Sequence, residues 1–229
     1  MQKLSQAHLQ TYLAQYGEQL FIPESCMPYL ELLQFEKNEW LFQEGKFTDR
    51  IYFVLEGKAK VYMTQQNGKI SLLHFIGPGA FVGDMELLEQ HYYSKGVQAS
   101  HPLTCFSLQT SLVRTLLLND LTFLQNLCRY LGQKITRDSA KFSQSISFPL
   151  ENRLAEFILI SENDSVYKEK HTEVAAFLGV SYRHLLYLFA QFCEEGILSK
   201  RKNDYCILDR ARLQSLATTI FTANPHKFT

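Results

Sequence analysis

The apolar residues of the chain change rhythm along its length. Through "EWLFQEG", "RIYFVLEG", "KAKVYMTQQNGK" and "ISLLHFIG" they come in short alternating runs, and most of the glycines lie between Gly45 and Gly96. Alternation of period two predicts half-buried strands, and short strands at regular spacing between turn residues predict a β-sandwich, roll or barrel. The pattern continues through "GVQAS" and "TCFSLQTSLVRTLLL", which places a β domain at about residues 30–117. Asn67-Gly68, flanked by two alternating runs, predicts a hairpin, because both residues tolerate positive φ.

From about Asp120 the spacing becomes helical. Leu124, Cys128, Leu131, Ile135 and Phe142 form a heptad-like stripe that runs to Ile146 and is interrupted by Asp138. An apolar stripe on a lone helix has to be buried, either on the β domain or against a twin in a dimer. "SISFPLENRLAEFIL" then shifts register. Phe148 precedes a proline and is biased away from helix, and Pro149 suits the first turn of a new one. A hinge is predicted there.

The last third holds "HTEVAAFLGVSYRHLLYLFAQF". Thr172 is the expected N-cap of a first helix carrying Val174, Ala175 and Leu178, and Gly179 is a left-handed C′ residue. Val180 packs under the turn, Ser181 caps a second helix, and Leu185 and Leu188 share its buried face. The small Ala175 lets the helices approach, with Leu185 opposite. This is the grammar of a helix-turn-helix, whose second helix projects its first turn outward to enter a major groove. Any αα-corner needs a small residue and a glycine, so the corner alone does not fix the function. The outer side of the second helix strengthens that reading, because Tyr182, Arg183, His184 and Tyr187 fall there with Ser181 at its start, and each can donate to a base edge or a phosphate. Beyond Gly196, "ILSKRKNDYCILD" predicts a hairpin with Lys200, Arg201 and Lys202 at its tip. A basic wing suits backbone phosphates, although solvation alone accounts for a charged tip.

Composition adds limits. The length is that of one large or two ordinary domains. With 23 basic and 23 acidic residues the formal net charge is zero, so charge permits nucleic-acid binding without arguing for it. Gly196–Arg212 has more basic than acidic residues. No apolar run approaches the length of a membrane span, and "LAEFILI" reads as a buried helix face. The first residues are polar and amphipathic, with no signal-peptide core. Cys26, Cys105, Cys128, Cys193 and Cys206 are scattered, with no pair at CxxC spacing. A cytoplasmic protein with reduced thiols is expected.

The order β-roll, long helix, hinge, winged helix-turn-helix resembles the Crp/Fnr family of bacterial transcription regulators over roughly residues 30–215. "GKAKVYM…NGKISLLHFIGPGAFVGDMELLE" resembles its effector-binding roll, "NRLAEFIL" the first helix of its DNA-binding domain, and "EVAAFLGVSYRHLLYLF" its helix-turn-helix. "SFPLENRLAEFIL" and "GVSYRHLLYLFAQF" are similar to the YeiL branch of enteric bacteria. The resemblance implies an α+β protein in three parts. Residues 1–117 are an N-terminal helical segment and a cyclic-nucleotide-binding-like β-roll, 118–147 a dimerisation helix and hinge, and 148–229 a winged helix-turn-helix domain. It implies no enzyme but a homodimer with double-stranded DNA as partner, with RNA polymerase as a further partner if it activates. Leu124, Cys128, Leu131, Ile135 and Phe142 are the implied dimer interface. Ser181, Tyr182, Arg183, His184, Tyr187, Lys200, Arg201 and Lys202 are the implied DNA contacts.

For a small-molecule effector the resemblance points to Gly83 and Asp84 at a pair that is usually Gly-Glu, to Ser94 where an Arg is usual, and to Lys95 and Asp138. Without a bidentate guanidinium a cyclic phosphate loses its main charge-assisted contact, so cyclic AMP is not expected. An unidentified effector, or none, fits better. Asp138 is an effector or registry candidate, or it faces water. Iron–sulfur ligation by an N-terminal cysteine cluster needs several thiolates, and only Cys26 lies there. On the recognition helix Arg183 and Tyr187 stand where relatives commonly place an acid and a later Arg, so the operator is expected to differ from the usual one. A cupin-like metalloenzyme with a helical appendage is the alternative. It needs clustered His and acidic ligands on neighbouring strands, whereas His74 is alone in its run and His91 and His101 lie in or near loops. A scaffold that binds another protein through the long helix is a third reading.

Overall fold

The computed structural model of the chain describes residues 1–89 and 95–221; the side chains of residues 138, 141, 144–146 and 218–221 are not described. The chain divides into two compact units, Met1–Lys134 and Ile135–Thr229.

The first unit is built on two antiparallel sheets. One has the order β1 (Gln2–Lys3), β2 (Glu31–Phe35), β9 (Leu103–Gln109), β4 (Arg50–Glu56), β7 (Phe81–Val82). The other has the order β3 (Trp40–Phe42), β8 (Gly96–Ala99), β5 (Ala59–Thr64), β6 (Ile70–Ile76). Tyr52, Val54, Leu103 and Cys105 on one face of the larger sheet pack with Val61 and Val97 of the smaller. Its other face carries Ile51, Phe53, Phe106 and Leu108 into a second cluster with Leu9, Val113, Leu117, Phe123 and Leu127. A strand covered on both faces reads as a continuous apolar run. That is why "IYFVL" in β4 is buried throughout.

Two expectations change in this unit. "TSLVRTLLL" is not a strand but the helix α3 (Thr110–Leu118). Val113 and Leu117, one helical turn apart, point into the core, and Leu112 and Leu116 are exposed. A run that is apolar throughout satisfies either period, so only its packing decides. In the β5–β6 hairpin only Gly68 adopts positive φ, at 79°, while the Asn67 carboxamide accepts from Lys69 N at 3.0 Å. Gln65 and Lys69 close the turn with an N–H···O bond of 2.8 Å. The loop is therefore a three-residue turn with glycine in the αL position, not a two-residue one.

Of the remaining helices in this unit, α1 spans Gln6–Tyr16 and α2 spans Asp84–Leu88. The long helix α4 (Leu121–Ser147) begins at an Asp120 cap, whose carboxylate accepts from Phe123 N at 2.6 Å. Its buried stripe is not the expected one. Phe123 and Leu127 enter the core of the roll, and the Tyr130 hydroxyl is bonded to the backbone of Phe81. Lys134 reaches Asp84. These four residues keep the i, i+4, i+7, i+11 spacing of one helix face. Leu124 and Leu131 lie at the margin of that face and are partly buried against the same core. Cys128, Ile135 and Phe142 are exposed.

The second unit holds α5 (Leu150–Ser161), β10 (Val166–Tyr167), α6 (His171–Phe177), α7 (Tyr182–Glu194), β11 (Leu198–Lys200), β12 (Tyr205–Ile207) and α8 (Arg210–Phe221), with the sheet order β10-β12-β11. Leu154, Ile158, Val174, Leu185, Phe189, Phe192, Ile197 and Leu213 are buried here. Arg153 Nη1 donates to Leu178 O, the C-cap carbonyl of α6, at 2.9 Å, and Asn152 Nδ2 to Leu216 O within α8 at 2.9 Å, so polar side chains of α5 bond to the backbone of two other helices. Among the described residues no helix is long and apolar enough to cross a membrane.

Candidate nucleic-acid interface

The α6–α7 corner is tight because the end of one helix and the start of the next are both capped. Gly179, at φ 66°, takes the left-handed C′ position. Gly179 N donates to Ala176 O at 3.3 Å and Val180 N to Ala175 O at 2.9 Å, the paired bonds of a Schellman motif. Ser181 follows immediately in extended backbone, and its Oγ accepts from His184 N at 3.2 Å. Thr172 is not the N-cap of α6. The helix starts at His171, whose ring stacks on Phe189 with centroids 4.4 Å apart, and this holds the residue inside the first turn. Replacing Ser181 by Ala is expected to cost about 1 kcal/mol of stability in this unit, with most of it regained by Asp, in chemical denaturation.

Beyond the cap, Tyr182, Arg183, His184 and Tyr187 are all exposed, while Leu185, Leu188 and Phe189 on the inner face are buried. A second Schellman arrangement at Gly196 (φ 71°), with Ile197 N donating to Phe192 O at 2.9 Å, turns the chain from α7 into the wing. Lys200 ends β11, and Arg201 and Lys202 lie in the turn, which Arg201 N closes on Asp204 O at 2.8 Å. The wing tip is tethered from the side by Lys168 Nζ, 3.6 Å from Asp204 Oδ2.

An aromatic stack joins wing and helix. Phe189 of α7 lies 4.7 Å from Tyr205 of β12 and 5.3 Å from Tyr167 of β10, centroid to centroid, and His171, 4.4 Å from Phe189 and 5.5 Å from Tyr205, completes the cluster. Burial, and then the charge of Lys200, lowers the pKa of His171 below the ordinary histidine value. The ring is thus held neutral at neutral pH and serves as packing. Between the start of α7 and the wing lies an open groove of about 400 Å³ whose lining includes Tyr182, Leu186, Lys200, Arg201, Lys202 and Asp204. Of the expected residues, the groove brings Tyr182 of the helix together with Lys200, Arg201 and Lys202 of the wing, while Ser181, Arg183, His184 and Tyr187 do not line it. Lys168 and His171 also line the groove; the sequence signal for Lys168 was only its place in a basic, loop-like stretch.

The expected effector residues fare differently. Gly83, at φ 96°, opens α2, and a Cβ there would meet Ile51 Cγ2 at 2.9 Å. Only glycine fits this turn without strain. Asp84 follows and is buried, with 4% of its surface exposed. Its Oδ2 accepts from Lys134 Nζ at 2.7 Å and its Oδ1 from Met85 N at 3.1 Å. Ser94 lies outside the described residues, as does the side chain of Asp138, and Lys95 is half-buried ahead of β8. Cys26 and Cys105 are buried, and burial raises both thiol pKa values, so neither is poised as a thiolate.

The cyclic nucleotide-binding domain profile matches residues 32–120 and the Crp-like helix-turn-helix domain profile residues 152–216. The regulatory protein YeiL of Escherichia coli O157:H7 is 42% identical over 186 residues, which cover 81% of this chain and 85% of that protein. The chain belongs to the Crp/Fnr family of transcription regulators. It is a DNA-binding member with a cyclic nucleotide-binding domain, and the relatives that match it over most of its length are transcription regulators. The CRP-like cAMP-activated global transcriptional regulator of Mycobacterium tuberculosis is a more distant member, 20% identical over 80% of this chain and 87% of its own length. A Crp/Fnr-family regulator from Eubacterium rectale shares the fold with a TM-score of 0.73 at 14% identity, covering 89% of this chain and 97% of its own.

Proposed function

We propose that this Crp/Fnr member acts in the cytoplasm as a symmetric homodimer. It reads a two-half-site operator by placing α7 in successive major grooves, with the wing on flanking phosphates. The observation that carries the reading is the first turn of α7. Three consecutive exposed side chains, Tyr182, Arg183 and His184, stand on a helix whose start is capped and whose other face is buried. Side chains at that end of a recognition helix reach base edges. The operator differs from the family's usual one because Arg183 and Tyr187 replace the customary acid and Arg. If the protein activates, RNA polymerase is its further partner.

Dimerisation runs through residues 118–147. Leu121, Cys128, Ile135 and Phe142 recur every seven residues along α4 and are all exposed. Leu124 and Leu131 flank that row. A sustained seven-residue repeat is what a twin helix packs against. The parts are assigned as the roll within 1–117, the dimerisation helix and hinge in 118–147, and the reader in 148–229. Cyclic AMP is not bound in the family's usual way, since Ser94 takes the place of the phosphate-pairing Arg.

Two substitutions test the reader. Arg183→Ala is expected to cost roughly 1–3 kcal/mol on a site selected from random duplexes and to relax preference at one base pair per half-site. Arg201→Ala is expected to weaken all sequences alike and to lower the salt slope by about one per subunit. Binding of both variants to the selected site and its single-base variants, at several salt concentrations, separates the two roles. Uniform weakening by both would put Arg183 on the backbone. No weakening by either would remove this corner as the reader.

A further inference from the structure

A carboxylate that is almost wholly buried cannot stay ionised without a counter-charge. Asp84 has one inside the chain, Lys134 Nζ at 2.7 Å. The lysine comes from α4, one turn beyond Tyr130, whose hydroxyl donates to Phe81 O at 3.0 Å and accepts from Phe81 N at 3.1 Å. Phe81 sits in β7, at the edge of the five-stranded sheet, where backbone groups would otherwise lack a strand partner. Two successive turns of α4 are therefore bonded to the segment Phe81–Asp84, through its backbone at one end and its buried acid at the other. Phe123 and Leu127 extend the same face into the core. On the helix this face lies well away from the row of Leu121, Cys128, Ile135 and Phe142.

We propose that Lys134 is a built-in ligand of the roll. It occupies Asp84 and fixes α4 to the β7–α2 segment, so that the DNA-binding state of this regulator needs no diffusible effector. The acid at the start of α2 is the residue that the family resemblance points to for a small-molecule effector. Here the acid is already bonded to the helix. α4 continues unbroken to Ser147, and α5 begins at Leu150, so the anchored helix leads covalently into the reader with only two intervening residues.

The test uses the full chain, dialysed extensively and shown free of small molecules by native mass spectrometry. Wild type is expected to bind its selected duplex at full strength with nothing added. Lys134→Met leaves the acid orphaned and can fail through instability alone, so the deciding variant is the double replacement Asp84→Asn with Lys134→Met, which removes both charges at nearly constant volume. It is expected to keep the wild-type thermal transition of the roll, to bind DNA at least tenfold more weakly, and to exchange amides of Phe81–Leu88 at least tenfold faster. A double variant that binds DNA and exchanges like wild type overturns the proposal. So does a wild-type protein whose binding rises tenfold or more when cyclic AMP, cyclic GMP or a small-molecule extract of cells is added. If wild type binds no duplex under any condition, the DNA reading has failed instead, and the exchange rates alone decide whether the tether exists.

Discussion

An Ile135→Asp variant is expected to sediment as a monomer at micromolar concentrations where the wild type is expected to be a dimer. Ile135 is 66% and Phe142 70% exposed within one chain, and both stand in the row that repeats every seven residues from Leu121. In a parallel, symmetric helix pair the seam positions of one helix face those of the other, so one substitution puts two carboxylates close to each other in a seam from which water is excluded. Neither has a counter-charge there. Breaking the compensation of a buried charge costs about 3–5 kcal/mol, and about 4 kcal/mol is roughly a thousandfold in a dissociation constant. Operator affinity falls with it, because each half-site then binds alone. Thr122→Asp, exposed on α4 but off the row, is the matched control and is expected to leave the dimer intact. If both variants stay dimeric, the interface lies elsewhere.

Gly57→Ala is the second change with a large expected effect. Gly57 links β4 to β5 at φ 88°, and a Cβ there would lie 2.1 Å from Pro102 O and 2.7 Å from Leu103 Cα. Both obstacles are backbone, so no side chain can swing aside. The left-handed conformation alone costs an L-residue about 1–2 kcal/mol, and separating the two chain segments disturbs β9, whose Leu103 and Cys105 lie in the core between the sheets. A loss of about 3 kcal/mol or more is expected, of the size found for overpacked cores. Scanning calorimetry is the suitable measurement, since a chain of two units need not unfold in one step. A transition belonging to the roll is expected to drop by roughly 10 °C. An unchanged scan would mean that the β4–β5 turn can move away from Pro102 without cost to the roll.

The helix-turn-helix was legible in the sequence almost residue by residue, because its determinants are local. Gly179 is glycine because of its φ, Ser181 caps because its hydroxyl is one turn from His184 N, and Leu185 and Leu188 repeat at helical spacing. The strands were legible for a similar reason, as alternation or continuous apolar runs between glycines. What escaped depends on partners far away in sequence. α3 looked like a strand because a run of leucines has no period until one knows that Val113 and Leu117 meet the roll. The face that α4 lays on the roll, Phe123, Leu127, Tyr130 and Lys134, also escaped. Leu124, Cys128, Leu131 and Ile135 are the more apolar choice, whereas the face on the roll includes a tyrosine and a lysine that no hydrophobic pattern would select. Asp84 was noticed for its place at the start of α2. Its partner, fifty residues on, carried no sequence signal beyond a charge in a helix.

The stack of His171, Phe189, Tyr167 and Tyr205 sets a fixed length on the DNA side. Its rings come from α6, α7, β10 and β12, so the recognition helix and the wing share one set of contacts and cannot slide apart without unstacking it. On the proposed reading, the distance between the base pairs that Arg183 would meet and the phosphate that Arg201 would meet is then a property of the protein, as in a calliper with its screw tightened. An operator with one base pair inserted between those two contacts cannot be matched by adjusting the reader. The duplex itself would have to bend or overtwist, and the energy of doing so depends on the steps that lie between. Part of this regulator's selectivity is therefore expected in base pairs that no side chain touches.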